Sequence, residues 1–304
     1  MTDEFRIIEV PLGASESEEA MGTKEKFWFR HQELDRCLYK KARQNTGEDW
    51  AEKIAAELCK LLELPTADYE LAIYNSERGV VSPSFVPEGG TLITGNDVLT
   101  RTLPSYPRDS QNPSQHTINS ILSVIEDASV NLPIDWKPAA DIKTAVEAFI
   151  GYLLLDAWIG NTDRHHENWA FISVDDKIYL APTYDHASSL GRNEPDEKRR
   201  KRLTTKDSGF SIQAYVEKST SALYAKDSDK KPLTTFDAFC RASQKYPNAA
   251  KAWLNNLAKV SSNDTLNLFE RIPSNLITQT AIDFAQKILE LNQFRLLKLR
   301  DTLS

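Results

Sequence analysis

One short stretch constrains this chain more than any other. It is Asp163-Arg-His-His-Glu-Asn168, entered from a long apolar segment and followed by Pro182-Thr-Tyr-Asp185. Asp163 stands in a polar loop, Asn168 follows five positions on, and Asp185 comes after one hydrophobic segment. Residues 169–172 and 178–181 read as two short strands, with Asp175-Asp176 as the turn between them. Asn168 is then at the entry of a hairpin and Asp185 just past its exit. A hairpin brings its two ends together, so an amide oxygen and a carboxylate can reach one cation. The second carboxylate, Asp163, is left beside them. This set suits removal of a proton from a hydroxyl next to a magnesium-bound phosphate chain.

A chain with that chemistry must supply nucleotide-holding groups from elsewhere. The first third is β-rich. Residues 5–12 alternate loosely, a polar loop runs from 13 to 22, and residues 26–30 and 36–41 read as strands. The loop carries Gly22 and then Lys26, and its backbone amides can fold over phosphates. Its glycines are sparse, and taken alone it reads as an ordinary polar connection. In the second strand, alternation puts Cys37 and Tyr39 on one face and Leu38 and Lys40 on the other. A lysine sharing a face with leucine is unusual, though an edge lysine with its head in water has the same pattern. Lys41 points the opposite way. A helix follows to about residue 64, with Thr46 as candidate cap and Glu52 in its first turns. A strand lysine followed by a helix glutamate is the pair that holds the phosphates of a nucleotide.

Residues 69–74 and 79–86 read as two more strands about a turn at Asn75-Ser76, and Pro83 and Pro87 restrict the second to an edge or a bulge. The proline-containing segment 105–115 suits a connection between lobes. Beyond it the pattern is helical: 116–127, a broad apolar stripe over 139–158, then 236–243, 249–259, 264–271 and 278–300. The expected architecture is α+β and two-lobed, with a β-rich lobe over 1–104 and a mainly helical lobe over 105–304.

Composition excludes several classes. With 304 residues, 40% apolar and 27% charged, the chain is an ordinary globular one. A net charge of -7 gives no overall pull toward nucleic acid or an anionic membrane. Cys37, Cys59 and Cys240 are odd in number and widely spaced, which argues against a disulfide scaffold or zinc ribbon and for a reduced, cytoplasmic setting. The acidic start is no signal peptide, and the longest apolar stretch is too short to span a bilayer.

Asp163-Arg-His-His-Glu-Asn168 has the spacing of protein-kinase catalytic loops and is closer still to the D-R-H-x-x-N of phosphoinositide-type kinases. Together with Gly160-Asn-Thr and Leu180-Ala-Pro-Thr-Tyr-Asp185, it resembles the HipA family of bacterial serine/threonine kinases. The resemblance covers most of the chain: Gly22 and Lys26 for the glycine loop, Lys40 for the ATP lysine and Glu52 for its helix partner. It implies a protein-kinase-like fold using ATP and Mg²⁺. By that resemblance Asp163 is the catalytic base or the residue that orients the hydroxyl, Asn168 and Asp185 bind Mg²⁺, His165 shapes the phosphate site, and adenine meets the backbone near residues 84–88. The implied partners are a protein substrate and, for members that are toxins, an antitoxin. Only about twenty residues precede Gly22, so the chain reads as a compact, core-only member. Ser15 and Ser17 are not adjacent to Gly22, where the family's glycine loop often carries a regulatory serine.

Other readings compete. His165-His166 and Asp185-His186 are candidates for a hydrolytic metal cluster. The basic run 198–202 can grip nucleic acid or an acidic protein substrate but is more simply a solvated loop. Trp158 and Trp169 read as core anchors. At the level of function, a kinase-shaped protein that sequesters a partner and a phosphoinositide-type lipid kinase are the alternatives.

Overall fold

The computed structural model describes residues 3–18, 25–110, 112–127, 129–139 and 141–303, so Gly22 lies outside the described residues. The first lobe is a sheet with one helix against it. Its elements are β1 (Ile7–Glu9), β2 (Ser17–Glu18), β3 (Lys26–His31), β4 (Asp35–Lys41), α1 (Glu48–Leu61), β5 (Glu70–Tyr74) and β6 (Glu77–Pro83). The sheet order is β1-β5-β6-β4-β3-β2, with β1 parallel to β5 and the other pairs antiparallel. The alternation in β4 is as expected. Cys37 and Tyr39 are fully buried beside Phe27 and Phe29, while Leu38 and Lys40 face a cleft on the other side.

Two local expectations fail for physical reasons. Thr46 does not cap α1. Its hydroxyl donates to the Arg43 carbonyl at 2.7 Å, Gly47 is the cap residue, and the Glu48 carboxylate accepts the Arg43 amide instead at 2.9 Å. Nor is β6 an edge strand: it lies between β5 and β4. Pro83 is tolerated there because pairing with β5 ends at Val81 while pairing with β4 continues. Since the Ser84 amide donates to Arg36 at 2.8 Å, alternation turns Pro83 to the side where β5 has ended.

From Pro83 the chain crosses to a second, three-stranded sheet of order β7-β8-β9, made of β7 (Thr91–Thr94), β8 (Ala170–Val174) and β9 (Lys177–Leu180). Residues 91–94 therefore build with β8, although they precede residue 104, and the segment 105–115 comes only after helix α2 (Gly95–Thr102). The turn between β8 and β9 is Asp175-Asp176, with φ of 49° and 58°, the left-handed pair that a tight hairpin needs.

The helical lobe is organised on α4 (Ala145–Ile159), which follows α3 (Ile118–Asp127). α4 starts six residues later than its apolar stripe suggested, at a capping box in which Thr144 accepts the Glu147 amide and Glu147 accepts the Thr144 amide. It is buried nearly all round, which is what an all-apolar helix requires. α5 (Asp196–Thr204), α6 (Ile212–Glu217), α7 (Thr235–Lys245), α8 (Pro247–Lys259), α9 (Ser262–Glu270) and α10 (Gln279–Arg300) complete the lobe, with α7, α8 and α10 packed on α4. The basic run 198–202, expected as a solvated loop, is in α5. Its Arg199 is buried, donating to the Gly191 and Arg192 carbonyls, and Arg202 pairs with Glu194 at 2.8 Å. No described helix is long and apolar enough to cross a membrane.

Candidate active site

The loop after α4 is built on one buried ion pair. Asp156, in the last turn of α4, faces Arg164, whose Nε and Nη2 donate to its two oxygens at 2.7 and 2.8 Å. A guanidinium fork on a carboxylate fixes a plane as well as a distance. Asn161 adds a bond to Asp156 at 2.8 Å and accepts the Asp163 amide at 3.1 Å. Arg164 also donates to the Asn168 carbonyl at 2.7 Å and to Thr183 Oγ1 at 3.0 Å. One arginine thus ties the end of α4, the loop and the segment after β9 together.

On this frame Asp163 points its side chain, half exposed, into a cleft of about 810 Å³. Asn168 Nδ2 donates to the Asp163 carbonyl at 2.6 Å, which uses the donor end of the amide and leaves its oxygen as the ligand end. His165 lines the same cleft, and its Nδ1 accepts the Glu167 amide at 3.2 Å. Asp185 follows β9 with φ of 57°, an uncommon conformation for a non-glycine residue and one found at functional sites. Its amide donates to Tyr69 Oη at 3.1 Å.

Lys40 reaches this cleft from β4. Its Nζ contacts Asp185 Oδ1 and lies 3.4 Å from Glu52 Oε2. Burial alone would lower its pKa, but the carboxylates of Asp185 and Glu52 more than reverse that and hold the ammonium above the ordinary lysine value. Glu52 is fully buried and accepts the His186 amide at 2.5 Å, so α1 is bonded directly to the helical lobe. Lys26 also lines the cleft, whereas Lys41 turns away and pairs with Glu25 at 3.3 Å. Of residues 84–88, Ser84, Phe85 and Val86 line the cleft together with the apolar Leu38, Val80 and Leu92, and Phe85 stacks on Tyr184 at 5.4 Å.

The other histidines have separate surroundings. His186 is fully buried with Nε2 on Thr183 Oγ1 at 2.7 Å, and burial holds its pKa well below the usual value. His166 meets Tyr106 Oη at 2.9 Å, with a pKa lowered to about 4 by burial and then by His165. Among the described residues, no three metal-ligating side chains converge, so the histidines do not assemble the hydrolytic cluster. Trp158 and Trp169 are core residues, and Trp169 Nε1 donates to His116 Nε2 at 3.1 Å.

A family model described as the HipA-like C-terminal domain matches residues 92–275. The chain belongs to that family. No curated protein matches its sequence. Among solved structures, the proinflammatory kinase CtkA of Helicobacter pylori superposes on the HipA-like chain with a TM-score of 0.74 at 17% identity, covering 95% of each chain. HipA of Shewanella oneidensis MR-1, solved with HipB and operator DNA, gives 0.59 at 10% identity, over 97% of this chain and 69% of that one. The HipA-like chain therefore has the two-lobed, kinase-like fold, with the six-stranded sheet before the matched segment and residues 163–168 within it.

Sequence reasoning passed over Arg164, Thr183, Tyr69 and Ser188. For Arg164 a signal existed: Asp156 is an acid inside an apolar helix, and such an acid needs a buried partner. A hydroxyl in a polar loop, such as Ser188, carries no comparable mark.

Proposed function

We propose that this protein is a Mg-ATP-dependent kinase that transfers the γ-phosphate to a serine or threonine hydroxyl of a protein. The observation that carries the reading is that Lys40, held from behind by buried Glu52, and Asp185, from the loop after β9, line one cleft with Asp163 and Asn168. The cleft has the size of a nucleotide site, with an apolar end at Leu38, Val80 and Leu92 and a charged end at Lys40.

The residues also fit the metal. Asn168 and Asp185 offer an amide oxygen and a carboxylate, the hard donors that magnesium takes, and both line the cleft. When bound there, magnesium would neutralise charge on the phosphates. Lys40, kept protonated by its carboxylate neighbours, contacts the phosphates of ATP. Asp163 accepts the proton of the attacking hydroxyl as its oxygen bonds to the γ-phosphorus and ADP departs. His165 shapes the phosphate end of the cleft. Lys26, the first residue of β3, lines the cleft and meets the phosphates, and Gly22 is assigned to the same phosphate-binding role. Adenine lies between Leu38 and Leu92 against residues 84–86. The lobes meet at residues 84–90, so that β7 belongs to the catalytic lobe. The Shewanella HipA structure contains HipB, and by likeness a protein partner that restrains the kinase is part of this proposal.

The test is radiolabelled ATP added with the protein to a whole-cell lysate. Wild type labels a protein and Asp163→Asn does not. Binding of Mg-ATP without any labelled product would replace this reading with that of a kinase-shaped sequestering protein, and labelled phosphoinositide would replace it with that of a lipid kinase.

A further inference from the structure

α1 presents two glutamates, Glu48 and Glu52, one turn apart toward the helical lobe. Glu52 serves Lys40. Glu48 has no part in the chemistry above, yet it is buried and its carboxylate contacts Arg192 Nη1 and lies 3.0 Å from Arg43 Nη1. Arg192 lines the cleft, 8% exposed, and its other terminal nitrogen donates to Ser188 Oγ at 2.9 Å. Ser188 Oγ in turn lies 3.2 Å from Asp163 Oδ2. A guanidinium has no acceptor, so Ser188 accepts from Arg192 and directs its own proton to Asp163. The donors run one way, from Arg192 through Ser188 to Asp163. The main chain supports the relay at both ends: Gly47 N–H donates to the Arg192 carbonyl at 3.1 Å, and Thr162 N–H to the Ser188 carbonyl at 3.0 Å.

We infer that Glu48, Arg192 and Ser188 are positioning residues for Asp163, holding Oδ2 so that Oδ1 is the oxygen that receives the proton of the phosphoacceptor. The inference rests on the kinase reading. Asp163 needs such a hold because its side chain is 46% exposed and the terminal torsion of a carboxylate has a broad range. Among the described residues no donor takes its other oxygen: Oδ1 lies 3.8 Å from His165 Nε2, beyond hydrogen-bonding distance. A single directed bond from Ser188 selects one orientation, and orientation of the base is where small displacements cost most. The relay also makes the base depend on α1, the helix that holds Lys40 through Glu52.

The experiment uses the full chain, radiolabelled Mg-ATP and the protein acceptor labelled in the lysate. Ser188→Ala should lower kcat about 10- to 100-fold while KM for ATP and the affinity for a fluorescent ATP analogue stay at wild-type values. Ser188→Thr, which keeps the hydroxyl, should restore most of the loss. Glu48→Gln alone should lower kcat, and adding it to Ser188→Ala should lower kcat no further, because both act through one bond. Thermal melts of each variant report whether the fold is intact. Wild-type kcat in Ser188→Ala, or losses that multiply in the double variant, would overturn the inference while leaving the kinase reading standing. Mass mapping that finds phosphate on Ser188 of the wild type would also overturn it, by making Ser188 an acceptor. If wild type labels nothing, the kinase reading falls and the inference falls with it.

Discussion

Asp156 and Asp163 stand seven residues apart and carry opposite burdens. Asp163 is half exposed and acts on substrate in the proposed reaction, so Asp163→Asn should cut kcat by about 10²–10⁴-fold with nucleotide affinity and melting temperature unchanged. Asp156 is buried on Arg164, and Asp156→Asn would leave that guanidinium without its counter-ion. We expect a loss of about 3–5 kcal/mol in urea denaturation. His116 makes a pH prediction. Because Trp169 donates to its Nε2, its proton is on Nδ1, donated to the Ala222 carbonyl at 3.0 Å. A second proton would have to replace the lone pair that faces the indole. Burial, the largest cause, lowers the pKa to about 3 from the ordinary value of 6.5. The unfolded chain therefore binds the extra proton first. The stability contributed by neutral His116 is full above pH 6.5 and is lost as pH drops from there toward 3. His116→Gln, which can still accept from Trp169, should show a flatter melting temperature between pH 7 and 4.5. Lys40 was legible because strand alternation separates it from Lys41. Ser188 and Thr183 were not, since their importance lies in which donors reach them from distant elements.

Elements were legible where periodicity was strong and misread where a single residue decided the end. The β8–β9 hairpin brings Asn168 and Asp185 to one cleft because two aspartates accept the left-handed turn. The start of α4, in contrast, is set by Thr144 and Glu147 rather than by the apolar stripe, and the cap residue of α1 is Gly47 rather than Thr46. The basic run in α5 looked solvated because charge alone does not tell an arginine bound to carbonyls, as Arg199 is, from one in water. Gly151 tests how tightly α4 is packed. Alanine is the better helix former by about 1 kcal/mol, but a Cβ at Gly151 would stand 2.5 Å from Leu64 Cδ2 and 2.6 Å from Trp253 Cε2. Trp253 is held by its bond to the Glu147 carbonyl at 2.8 Å and has little room to yield. Gly151→Ala should therefore destabilise, by about 1–3 kcal/mol in urea titration.

At the scale of the molecule, the two lobes share one core. The main apolar cluster runs from Phe5, Trp50, Ile54 and Leu71 into Phe149, Leu153 and Trp158. Phe5 donates its amide to the Arg271 carbonyl at 2.7 Å, and Arg78 of β6 joins Asp49 to the Leu276 carbonyl, the latter at 2.6 Å. Unfolding one lobe would expose the other's face, so calorimetry should show a single transition rather than two. This sharing was not legible, because each lobe taken alone has enough apolar residues for a core of its own. The bond from the His186 amide to Glu52 has a pharmacological consequence. In this chain α1 is pinned at Glu52 by that amide, at Glu48 by Arg192, and just past its end by Ala67 donating to the Thr183 carbonyl at 2.9 Å. A small molecule that inhibits by wedging this helix outward would have to break all three ties at once. Effective inhibitors are to be sought among compounds that fill the cleft between Leu38 and Leu92 and compete for Lys40.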